Sequence, residues 1–193
     1  MKLKKILTFY LFALVLTGSV IVNEGLAEEK SLPFPSYGSG PVEVRLYTDY
    51  FCSPCREMEP CVEPILKQQI KKNAIRLTLV DVPSSKLTPL YARNFLYAIK
   101  ENNDSEHAFR VRNILQNAAA GKDVKTQKQI EALFKEKGIA FSVWDPKPAF
   151  DRYNYLIQED KIRGTPTCVV IKDGQKKIFV GDHEIIDALK ALP

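Results

Sequence analysis

The chain has 193 residues, with 28 Lys and Arg against 23 Asp and Glu and a formal net charge of +5. Acids and bases are interleaved and no basic block stands beside an aromatic platform, which argues against nucleic-acid binding. Four cysteines are too few for a disulfide-stapled scaffold, so their positions must carry their meaning.

The chain opens Met1-Lys2-Leu3-Lys4-Lys5, followed by an apolar run from Ile6 to Val22 and the small-residue sequence Gly25-Leu26-Ala27. This order predicts a signal peptide over residues 1–27, cleaved after Ala27. A retained N-terminal anchor is the alternative, because the run approaches the roughly 20 residues that span a bilayer. Residues 28–193 suffice for one domain with its own core. All four cysteines fall there, so the expected compartment is periplasmic or otherwise extracytoplasmic and oxidising.

Residues 28–40 carry charge, Pro and Gly without periodicity and read as a flexible N-terminal arm before a domain over 41–193. Val42, Val44 and Leu46 alternate with Glu43 and Arg45, a strand pattern that runs to Thr48-Asp49. From Pro54 the spacing of Met58, Val62, Ile65 and Leu66 predicts a helix, with a kink expected at Pro60 and Pro64. A second alternating strand follows over 75–82.

Residues 83–163 are mostly helical by pattern. Apolar stripes mark helices over 87–100 and 105–119, the second opened by Asp104 as N-cap. Thr126 and Gln129 form a capping box for a third, which Gly138 ends, and Asp145-Pro146 opens a fourth. A strand at 167–171, a turn at Asp173-Gly174, a returning strand at 177–180 and a helix from His183 to Leu192 close the chain, with Ile186 and Leu189 on the helix's apolar side.

The chemistry sits in Phe51-Cys52-Ser53-Pro54-Cys55. Disulfide exchange needs an attacking thiolate and a second thiol within reach to resolve the mixed disulfide. The C-x-x-C spacing supplies both, and placing Cys52 at a helix N-terminus lowers its pKa through unpaired N–H groups and the helix dipole. Cys52 is the expected nucleophile and Cys55 the resolver, with Ser53 and Pro54 tuning the thiolate. A buried structural disulfide or a zinc knuckle drawing on Cys61, Cys168, His107 and His183 are the alternatives. His107 and His183 read as solvated. Tyr50, Phe51, Tyr91 and Phe95 could line a groove for unfolded substrates, and core packing explains Tyr91 and Phe95 equally well.

A strand, F-C-S-P-C on a helix, a strand, and much later Gly164-Thr165-Pro166-Thr167 opening a strand, hairpin and final helix: this series resembles the thioredoxin superfamily over residues 42–192. The insertion at 83–163 makes it more similar to the DsbA-like branch. The resemblance implies an α/β thioredoxin-like fold with a mostly helical insertion between the second strand and the cis-proline strand. It implies a protein disulfide oxidoreductase with Cys52 exposed, Cys55 buried, Pro166 cis, and Thr165 offering backbone groups to an extended substrate. No cofactor and no metal are expected. Partners would be reduced or misoxidised extracytoplasmic proteins and a membrane redox partner, and the chain would be a monomer.

The family fold brings the elements bearing Cys61 and Cys168 into one layer, so the two are candidates for a structural disulfide, with buried free thiols as the alternative. The chain departs from the family in three places. Leu46 stands where relatives often bury an acid, and Asp49, the nearest carboxylate, reads as solvated. Phe51 replaces the usual Trp. Ser53-Pro54 lacks the His of a strongly oxidising DsbA, which implies a less oxidising pair. Disulfide donation is the expected direction, with reductase or isomerase activity, or a non-catalytic chaperone module, as alternatives.

Overall fold

The structure, a computed structural model, describes residues 33–192, so the apolar N-terminal run and its cleavage point lie outside the described residues. In chain order the elements are β1 (Ser36–Tyr37), β2 (Val42–Thr48), α1 (Ser53–Lys71), β3 (Ile75–Asp81), α2 (Thr88–Glu101), α3 (Ser105–Gly121), α4 (Gln127–Lys137), α5 (Lys147–Glu159), β4 (Thr167–Lys172), β5 (Gln175–Val180) and α6 (Asp182–Lys190). Four helices thus separate β3 from β4, as the sequence predicts.

The strands form one mixed sheet in the order β1-β3-β2-β4-β5. β2 lies at its centre, which is why nearly all of its residues are buried whichever face they take. It pairs in parallel with β3, Leu46 opposite Leu79 and Thr48 opposite Asp81, and α1 supplies the crossover that parallel strands need. On its other side β4 runs antiparallel, placing Cys168 opposite Leu46. β5 returns through Asp173 and Gly174, whose φ values of 51° and 76° suit a two-residue hairpin loop.

Residues 33–40 are not a flexible arm. β1 pairs antiparallel with β3, the Leu79 amide donates to the Pro35 carbonyl at 2.9 Å, and Tyr37 is buried. The glycines make this possible: a Cβ on Gly40 would lie 2.2 Å from the Ala74 carbonyl carbon. Two residues of strand carry no periodicity, so only the tertiary pairing reveals them.

α1 runs unbroken through Pro60 and Pro64. Both prolines lie on its exposed side, where the backbone carbonyls they leave without an N–H partner can reach water. Its buried face carries Cys55, Met58, Glu59, Val62 and Leu66. The insertion follows its caps closely. Asp104 accepts from the His107 amide at 2.7 Å, Thr126 and Gln129 form the reciprocal capping box, and Gly138 ends α4 at φ 63°. In α6 the buried positions are Ile185 and Leu189, with Ile186 at the margin of the core. Tyr50, Tyr91 and Phe95 are fully buried, so packing rather than a substrate groove accounts for them; Phe51 alone is partly exposed, its ring edge-on to Tyr91 at 4.9 Å.

Candidate active site

Cys52 is the N-cap of α1: its backbone is extended, and its Sγ accepts the Cys55 amide at 3.2 Å. Pro54 sits in the first turn, where a missing N–H costs nothing. Cys52 and Cys55 are bonded to each other, their Cα atoms 5.3 Å apart. The two sulfurs differ in access. Cys52 is partly exposed at the mouth of the helix, whereas Cys55 is fully buried beneath it. An incoming thiolate therefore reaches Cys52 first, and Cys55 is the sulfur that leaves.

Facing the pair is the Thr165-Pro166 peptide, which is cis. The Thr165 carbonyl oxygen lies 3.5 Å from Cys52 Sγ. Two contacts hold this turn: the Thr167 hydroxyl donates to the Gly164 carbonyl at 2.8 Å, and the Gly181 amide donates to the Pro166 carbonyl at 3.1 Å. Ser53 and Pro54 are exposed, the Ser53 hydroxyl donating to Glu57 at 2.9 Å.

The loop that delivers Cys52 is fastened by buried charge. Asp49 is fully buried rather than solvated, and it accepts from the Phe51 amide at 2.6 Å, the Ser84 amide at 3.3 Å and the Thr88 hydroxyl. The Phe51 contact closes a side-chain turn that re-creates the shape of a backbone turn, and the other two tie it to the segment that leads into α2. On the other side, Arg112 of α3 donates to Asp81 at 2.8 Å and to the Thr48 hydroxyl at 2.6 Å. Its guanidinium lies 5.1 Å from the centre of the Tyr50 ring, and the Tyr50 hydroxyl completes the set by donating to Asp81 at 2.9 Å. Burial disfavours the Arg112 cation, but Asp81, Tyr50 and Glu59 together outweigh it and hold the group above its ordinary pKa. Burial likewise pushes the Tyr50 phenol well above its ordinary value.

The sequence pattern does not single out Arg112, Asp81 or Glu59. One signal was present: Arg112 falls on the stripe of Ala108, Phe109, Leu115 and Ala119, where a solvated charge has no place. Glu59 is one helical turn past Cys55 on the buried face of α1. Its hydrogen-bond partner among the described residues is Gln116, at 3.5 Å. Burial raises its carboxyl above the ordinary range, against the pull of Arg112.

The remaining cysteines are not paired with each other. Cys61 is exposed on α1, while Cys168 is buried between Leu46 and Phe179 in the sheet, and both thiols are free. Opposite exposures on different elements explain why the expected bridge is missing. Burial pushes the Cys168 thiol up to about 12, which leaves it unreactive. His183 is exposed as expected, whereas His107 is half-buried with its Nε2 enclosed and unpartnered among the described residues, and neither hydrogen-bonds to Cys52 or Cys55 there. Among the described residues no cluster of His, Cys, Asp and Glu is placed to hold a metal ion.

A disulfide at a helix N-terminus with one sulfur accessible, facing a cis-proline turn on a mixed sheet, defines a thiol–disulfide oxidoreductase. The thioredoxin family profile matches residues 38–182, and the chain belongs to that family. Solved structures agree on the fold. A candidate protein-disulfide isomerase from Pseudomonas syringae superposes with a TM-score of 0.66 at 14% identity, over 83% of this chain and 98% of its own. A periplasmic thioredoxin-like protein from Salmonella enterica serovar Typhimurium gives 0.59 at 18%, over 84% and 93%. The thiol-disulfide exchange protein α-DsbA2 from Wolbachia pipientis gives 0.60 at 18%, over 84% and 87%. At these identities the likeness is one of fold. No curated protein sequence matches the chain.

Proposed function

We propose that the chain is an extracytoplasmic disulfide donor that works through Cys52 and Cys55. The observation that carries this reading is the unequal access of the two sulfurs, with Cys52 alone at the surface and capping α1. A substrate thiolate attacks Cys52 Sγ, the Cys52-Cys55 bond breaks, and Cys55 leaves as a thiolate that takes up a proton. A second substrate thiolate then attacks the substrate sulfur of the mixed disulfide and expels Cys52. The substrate loses two electrons and the pair gains them. The helix N-terminus and the Cys55 amide stabilise the departing Cys52 thiolate and so favour this direction.

Thr165 and Pro166 are the turn against which the substrate backbone lies in extended form, with the Thr165 carbonyl beside the reacting sulfur. The lysine-rich start and apolar run of residues 1–27 support export, and a membrane redox partner would reoxidise the pair. Substrates are reduced or misoxidised exported proteins, and the protein acts as a monomer. Donation is tested by incubating the oxidised Cys61→Ser chain with a reduced dithiol peptide, which is expected to leave with its own disulfide formed. The exchanging sulfur is tested separately by incubating the Cys55→Ser, Cys61→Ser variant with a disulfide-bonded peptide. A mixed disulfide through Cys52 is expected, and none from Cys52→Ser, Cys61→Ser, whose remaining Cys55 is buried. A reduced peptide left unoxidised would overturn donation, and equal trapping by both variants would overturn the assignment of Cys52 as the exchanging sulfur.

A further inference from the structure

The sheet carries a second surface beside the reacting sulfur. β5 is an edge strand, and on the face where Val180 pairs with Thr167 and Ile178 with Val169 it is left uncovered. Ile178 is 48% and Val180 61% exposed, two aliphatic side chains adjacent on one face of the strand. With Ile162 and Gly164 they line a trough of about 510 Å³ that runs from the cis-proline turn along β5. The turn is one wall of this trough: Gly164 and Thr167 line it, and Thr165 between them lies 3.5 Å from Cys52 Sγ.

The charges of the trough are divided. Asp160 and Glu159 are consumed internally, Asp160 by Arg45, Lys176 and the Tyr47 hydroxyl, and Glu159 by Arg45 at 3.0 Å and Lys176 at 3.6 Å. Lys161 and Arg163, by contrast, are exposed and make no ion pair among the described residues. Lys161 is also held at φ 54°, a left-handed backbone that a lysine seldom takes. The rim next to the active site therefore presents two free cations above an apolar floor.

We infer that this trough is a substrate subsite that selects reduced polypeptides with an aliphatic residue followed by Asp or Glu beside the reactive cysteine. The inference rests on the exchange reading above and names its substrate class. A substrate cysteine in line with Cys52 lies over residues 164–166, so the adjoining residues of the same chain pass over the trough. Ile178 is two residues from Val180, about 7 Å of strand, so two or three substrate residues span the floor. The aliphatic side chain covers Ile178 and Val180, and the carboxylate meets Lys161 and Arg163.

The test compares two reduced dithiol peptides, identical except for Val-Glu or Val-Lys after the first cysteine, as substrates of the oxidised full chain. The Val-Glu peptide is expected to be oxidised about three- to tenfold faster at low salt, with the gap narrowing as salt screens the rim. In the double variant Lys161→Glu, Arg163→Glu the preference inverts, and this comparison cancels any effect of the flanking charge on the peptide thiol itself. Equal rates, or a preference that survives the charge reversal, overturn the subsite. A second readout is independent of exchange: titrating both peptides into the Cys52→Ser, Cys55→Ser protein while following the Ile178 and Val180 resonances. Shifts with the Val-Glu peptide support the subsite even if no oxidation occurs, which would fault the exchange reading alone. No shift with either peptide overturns the subsite.

Discussion

Two helix N-termini in this molecule solve one problem with different atoms. At α4 the Thr126 hydroxyl accepts the Gln129 amide at 3.3 Å; at α1 the Cys52 sulfur accepts the Cys55 amide at 3.2 Å. The offset of three residues is the same, and so is the field of unpaired N–H groups. The α4 cap closes on itself, because the Gln129 side chain returns to the Thr126 amide at 3.0 Å. The α1 cap has a cysteine where that glutamine stands, so it gives up the reciprocal bond and gains a second sulfur. A hydroxyl in this position only stabilises a helix, whereas a thiol has an ionised form for the same field to favour. The reactive cap is instead fastened from outside, by Asp49 on one side and by Arg112 with Asp81 on the other.

If the α1 cap depends on that external fastening, cutting it should have the largest effect. Arg112→Ala leaves Asp81 buried without its cation and is expected to cost about 3–5 kcal/mol in urea unfolding, with slower exchange at Cys52 in the molecules that remain folded. A loss below about 1 kcal/mol would show that the loop holds itself. Glu59→Gln probes the ground just behind the cap. Because burial raises the Glu59 carboxyl, the folded state holds that proton more tightly than the unfolded chain does. Stability is therefore lost as pH rises from the ordinary carboxylate value through the raised one, and it stays lost above. The glutamine variant should be more stable than the parent at neutral pH, by on the order of 1 kcal/mol, and equal to it near pH 3, as read from urea midpoints. The smallest effect belongs to the self-contained cap: Thr126→Ala is expected to cost about 1 kcal/mol and to leave exchange at Cys52 unaltered. A change in exchange rate there would mean that the two helix starts are coupled.

What was legible in the sequence was local. The alternation of β2, the caps of α3 and α4, the Asp173-Gly174 hairpin and the C-x-x-C spacing are each written within a few residues, and each is present in the structure. What was not legible depends on distant partners. Asp49 looked solvated because Ser84 and Thr88, which bury it, arrive from beyond β3. Arg112 is paired with a strand end a whole helix away in sequence, and β1 exists only because β3 offers it an edge. Cys61 and Cys168 could not be sorted by composition, since one sheet position and one helix face decide that the first is exposed and the second buried.

The most direct test of disulfide donation is the equilibrium reduction potential of the Cys52-Cys55 pair, measured with Cys61 and Cys168 substituted. A thiolate held by a helix N-terminus, without the extra His of the strongest oxidants, predicts a value between about −120 and −200 mV. A value near about −270 mV, the thioredoxin level, would contradict donation and make the protein a reductant.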